Sequence, residues 1–181
     1  MLFLPKHECE KFAETAGISK NVLSAVASDS AFAHAIHVDL QNERHRSYYL
    51  ATEFISLLGQ YHELLVWVVE FGIWPSSENR HMYYQLRRSY GDSGKLNEAA
   101  GHLFDAQERE ACITFLHLAL EFGWGVYIIS KPLNRWIFAS HDGWARVVRR
   151  STDTDALKDV EAWSVPYDVE KGGAEPPPAL H

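Results

Sequence analysis

The hydrophobic period of this chain changes at Gly123, and that change limits what the chain can fold into. Before Gly123, apolar residues recur mostly at spacings of three and four, the repeat of one helix face. After it, residues 124–130 and 135–141 are short runs rich in aromatic and β-branched side chains. Lys131-Pro132-Leu133-Asn134 lies between them as a four-residue turn, which predicts an antiparallel hairpin. A lone hairpin is barely stable in water, so it must lie on the helices or join another strand. The expected fold is α+β and mostly helical: helices packed with a small late antiparallel β-hairpin.

Helix signals punctuate the earlier part. Pro5 suits a first turn and Gly17 a stop, which predicts a helix over 5–16. Ser19 caps a second helix to about residue 28, and 31–38 is ambiguous. The longest predicted helix covers 43–73, with Gly59 as its bend point, and would extend about 45 Å at 1.5 Å per residue. One stripe carries Phe54, Leu57, Leu58, Tyr61, Leu65 and Val68. The opposite stripe is polar except for Tyr49, Trp67 and Trp74. Pro75 ends this helix, and Ser76 or Ser77 starts the next, which Gly91 closes. Residues 91–104 read as a loop. Asp105 with Glu108 forms a capping box for a helix to Phe122, with Cys112, Phe115, Leu116 and Ala119 on its inner stripe. Asp142-Gly143 is a turn, and 144–149 is an element of undetermined type.

With 181 residues, 46% of them hydrophobic, the chain is long enough for one well-buried core. Residues 1–150 are expected to form a single globular α+β domain. Residues 151–181 hold seven acids against two lysines and end rich in Pro and Gly. They read as an acidic tail, either solvated or packed back through Trp163 and Tyr167. Seventeen basic residues against 24 acidic give a net charge of −7, which argues against a nucleic-acid partner. Two cysteines exclude a disulfide scaffold and suit a reducing cytoplasm. The apolar runs Met1 to Leu4 and Leu64 to Val69 are too short for a leader core or a membrane span.

The motifs of metal and covalent chemistry are missing. Ten histidines include no metalloprotease pattern and there is no CxxC, so no metal and no cofactor are expected. Ser140-His141-Asp142 has the residues of a triad, but contiguous residues in an extended chain point to alternating sides. Cys112 on an apolar stripe reads as core. Arg80, Arg87 and Arg88, with His102 and His141, are the candidate anion-binding residues, because guanidinium forks suit carboxylates and phosphates. A solvated helix face is the alternative for the arginines, and a loop plugged by Leu103 and Phe104 is the alternative for the segment holding His102. Tyr49, Trp67 and Trp74 are the candidate partner-binding residues, since large aromatics on a polar stripe are typical of interface hot spots. The alternative is that another part of the chain covers them.

The segments WPSSE (Trp74 to Glu78), a helix end closing on YGD (Arg88 to Asp92), GHLF (Gly101 to Phe104) and SHD (Ser140 to Asp142) resemble a group of small uncharacterised bacterial proteins. The compact acidic build is also similar to immunity proteins of bacterial toxin systems. That resemblance implies a non-catalytic cytoplasmic protein that masks a basic protein surface. Two alternatives stand beside it: a small enzyme using an Arg/His pocket on a phosphate or carboxylate substrate, and a module that closes a homodimer.

Overall fold

The computed structural model describes residues 1–16, 18, 34–39, 46–70, 80–94, 98, 100–132 and 135–149. Its centre is a seven-stranded antiparallel sheet. The strands are β1 (Leu2–Leu4), β2 (His34–Asp39), β3 (Glu63–Glu70), β4 (Gly101–Asp105), β5 (Gly125–Lys131), β6 (Arg135–Ala139) and β7 (Trp144–Arg149). They lie side by side in the order β1-β4-β3-β5-β6-β7-β2. The described helices are α1 (Lys6–Thr15), α2 (Ser47–Leu57), α3 (Arg80–Ser89) and α4 (Arg109–Glu121).

The α+β class therefore holds, but the mostly helical build with a small hairpin does not. The expected hairpin is β5–β6, and it forms only part of the sheet. The largest correction concerns 43–73. Its first part is the helix α2, and Gly59, at φ +72°, lets the chain turn out of it. Its second part is the central strand β3, where Leu64 to Val68 are all buried. A strand covered on both faces needs apolar residues at every position, so its period of two disappears and it mimics a buried helix.

Register separates the two faces. Leu64, Val66 and Val68 stand opposite Ser130, Ile128 and Val126, and this face packs under α2, α3 and α4. Leu65 and Trp67 stand opposite Ile129 and Tyr127 on the other face, where α1 contributes Cys9, Phe12 and Ala13. A fully buried aliphatic side chain stabilises by about 1.5–3 kcal/mol, so this doubly covered strand anchors both layers. Gly101 is required where α1 crosses β4: a Cβ there would collide with the Cys9 Sγ.

The other expectations divide. α1 begins after Pro5 as predicted, and Asp105 and Glu108 form the capping box, with the Asp105 Oδ1 2.7 Å from the Gln107 N and 3.1 Å from the Glu108 N. The predicted loop 91–104 instead ends in a strand, β4, held between β1 and β3. Residues 144–149 are a strand, β7, and the ambiguous 31–38 segment contains the start of β2. The predicted helix over 19–28 and the tail 151–181 lie outside the described residues.

Candidate functional site

Two polar clusters emerge, and neither was assembled correctly from the sequence. The first is sealed inside the molecule except at its Asp92 end, which is 19% exposed. Tyr83 and Arg87 lie one turn apart on α3 and are fully buried, as is His102 on β4. The Arg87 guanidinium is held by the Asp92 carboxylate, to which Nε donates, and NH1 donates to the Tyr83 hydroxyl at 3.1 Å. The Tyr83 hydroxyl donates in turn to His102 Nε2, and His102 Nδ1 faces the Val66 carbonyl at 3.3 Å. Asp92 also takes the Gly94 N–H at 3.0 Å.

Aromatic rings enclose the chain: Phe115 stacks on His102 with centroids 3.9 Å apart, and Phe3 lies under the guanidinium at 4.7 Å. Burial, reinforced by the Arg87 charge, pulls the His102 pKa down to about 3, so the imidazole is neutral. Burial pushes the Tyr83 hydroxyl up, so it stays a donor. The hydrogen bonds run in one direction, from Arg87 through Tyr83 and His102 to the Val66 carbonyl, and the assembly ties α3 and the 91–94 turn to the sheet.

The second cluster is open. The start of α2 and the end of α4 border a groove of about 660 Å³, within the range of ligand sites. On its floor the Ser47 Oγ lies 2.7 Å from the Glu121 Oε2 and 3.0 Å from the His117 Nδ1. Ser47 has one proton, and the nearer, charged carboxylate takes it. His117 Nδ1 must then donate to Ser47, which leaves Nε2 as an acceptor in the neutral imidazole. A nucleophilic serine needs the reverse arrangement, with the imidazole accepting from the hydroxyl, so this constellation is a positioning device for His117 and not a triad. The rim is apolar and exposed: Tyr48 is 55% exposed, Met82 60% and Tyr49 39%. The Arg46 guanidinium sits over the Tyr49 ring at 4.4 Å.

Of the described residues singled out beforehand, only Tyr49 lines this groove. Trp67 is 5% exposed, on a strand, and packs against Tyr127, so it shares no stripe with Tyr49. Trp74 and the side chain of Arg80 lie outside the described residues. Arg87 and His102 come together, but in the sealed cluster; Arg88 is exposed on the surface of α3. His141 is elsewhere, in the β6–β7 turn. Its Nδ1 is 2.8 Å from the Glu70 Oε2 and its Nε2 3.1 Å from the Asp142 Oδ1, so it pins that turn to the end of β3. The Ser140 Oγ accepts the Asp142 N–H at 3.2 Å, which leaves Ser140-His141-Asp142 a turn and not a triad.

The thiols of Cys9 and Cys112 are buried, and burial pushes Cys9 to about 12 and Cys112 up as well. Among the described residues no three His, Cys, Asp or Glu side chains converge to hold a metal ion, and no helix is long and apolar enough to cross a membrane.

Sequence reasoning missed Ser47, His117 and Glu121. The spacing of four between His117 and Glu121 was a readable signal for a shared helix face, but Ser47 lies 70 residues from His117 and reaches it only through the packing of α2 on α4. Comparison with family models, curated proteins and solved structures returned no match to this chain.

Proposed function

We propose that this chain is a non-catalytic protein-binding protein of immunity or antitoxin type, which masks a basic surface of its partner in the cytoplasm. The observation that carries this reading is the groove rim, where Tyr48, Tyr49 and Met82 stand exposed around buried Ser47, half-buried His117 and exposed Glu121. Tyrosine and methionine are enriched in interface cores, where rigid rings and an adaptable thioether bury large area at small entropic cost. The net charge of −7 favours fast association with a basic partner. The enzymatic alternative has less support, because Arg87 and His102 are sealed, and Arg87 already carries Asp92.

The test is affinity capture from extracts of the native host, with the full chain as bait. A stoichiometric basic partner, lost with the Tyr48→Ala/Met82→Ala double variant while circular dichroism is unchanged, is the expected result. Failure to recover such a partner, or equal capture by the double variant, overturns the proposal. A dimer in light scattering that the double variant dissolves also overturns it, since the groove would then close on a second copy of the chain.

A further inference from the structure

We infer that the groove receives an arginine side chain of the partner, its guanidinium held by Glu121 and His117 and its stem lying along Tyr48 and Met82. This deepens the protein-binding reading and rests on it.

The inference follows from which atoms the floor leaves for a visitor. Ser47 consumes one oxygen of Glu121 and one nitrogen of His117. Glu121 Oε1 and, in the neutral ring, His117 Nε2 remain as acceptors. They belong to residues four apart on α4, so they project from one face of that helix. Among the described residues no cation lies within ion-pair distance of Glu121. The α4 side of the groove thus offers acceptors and the negative charge of exposed Glu121, the complement of a donor cation, while the Arg46 cation lies on the Tyr49 side.

The walls narrow the choice. Tyr48, exposed and edge-on to the His117 ring at 5.8 Å, offers a ring face, and Met82, Leu118 and Phe122 supply apolar surface. A planar, weakly hydrated guanidinium suits two acceptors beside a ring; a compact ammonium suits a single charge in water. The neighbouring Tyr49 already carries a guanidinium on its face, that of Arg46, at the same end of α2. Arg46 is engaged there and does not occupy Glu121.

The experiment titrates the full chain with Ac-Ala-Arg-Ala-NH2 and, separately, with the same peptide carrying neutral citrulline, while the Met82 methyl and His117 ring resonances are followed. Saturable shifts with the arginine peptide are expected, with binding about tenfold weaker for citrulline and about tenfold weaker in Glu121→Gln, since each change removes a charge-assisted hydrogen bond. Glutamine can still accept from Ser47, so that variant should keep the wild-type fold, and Tyr48→Ala should weaken binding as a second, surface-only change. Equal binding of both peptides, insensitivity to Glu121→Gln, or no saturable shift overturns the inference. If partner capture is lost in Tyr48→Ala/Met82→Ala yet intact in Glu121→Gln, the arginine falls and the protein-binding reading stands. If the arginine peptide binds as expected but no partner is captured, the groove is an arginine site and the reading that a partner protein supplies that arginine falls.

Discussion

The Asp92–Arg87–Tyr83–His102 chain and the Ser47–His117–Glu121 groove draw on similar side-chain types: a histidine, a hydroxyl and a carboxylate, with an arginine and a tyrosine nearby. They end in opposite states. In the first, tyrosine and histidine are fully buried, the tyrosine hydroxyl donates to the histidine, and the histidine donates to the Val66 carbonyl. In the second, the internal hydrogen bonds use half of each group and turn the other half outward. Residue type therefore does not separate structural from recognition chemistry in this molecule. What separates them is how far the fold covers the groups: Tyr83, Arg87 and His102 are buried, whereas Glu121 stands exposed. A satisfied buried network rigidifies the core, whereas an open, partly used one is free to bind.

That comparison breaks most visibly at Asp92. Asp92→Ala leaves the Arg87 guanidinium buried without its carboxylate; removing one partner of a fully buried pair costs about 3–5 kcal/mol, and because Asp92 is 19% exposed the loss here should lie at the lower end, about 3 kcal/mol. Urea denaturation should report a loss of this size. A loss below about 1 kcal/mol, the range of an exposed pair, would mean that the cluster opens to water and is no different from the groove.

Acid is the next lever. The unfolded chain protonates His102 near its ordinary value of 6.5, while the folded chain resists down to about 3. The neutral ring therefore contributes its full stability above about pH 6.5. That contribution declines as pH falls towards about 3, by about 1.4 kcal/mol per unit over the steep range. Denaturation curves collected between about pH 6.5 and 4 should show this slope in the wild type and lose it in His102→Gln. An identical slope in both would place the proton elsewhere and remove His102 from the sealed class.

Parts of this architecture were legible in the residues and parts were not, for physical reasons. Local hydrogen bonding is written locally, so Pro5 and the Asp105/Glu108 box marked helix starts correctly. β5 and β6 showed through because turn residues bounded short runs rich in aromatic and β-branched side chains, although β5 itself is buried at every position but its last. Leu64 to Val68 did not read as a strand, since both of its faces are covered and periodicity vanishes. β4 was hidden by its brevity: Gly101 is there for the close approach of Cys9, and His102 is polar in a buried position. Its partners, Tyr83 and Val66, are 19 and 36 residues away. The groove was illegible for the same reason. His117 and Glu121 share a face by spacing, but the serine that orients them arrives through tertiary packing alone.

The smallest expected effect sharpens the comparison from the other side. Met82 is on the same helix as Arg87, five positions before it, yet it is 60% exposed. Helical spacing turns it away from the sealed cluster and towards the groove rim. Met82→Ala removes a side chain that buries little apolar area, and alanine is at least as good a helix former, so stability should move by no more than about 0.5 kcal/mol. Thermal denaturation at fixed protein concentration measures this. A loss above about 2 kcal/mol, the range of a core truncation, would show that the thioether is packed as interior. The rim would then be part of the molecule's own core, and the distinction between the two clusters would collapse.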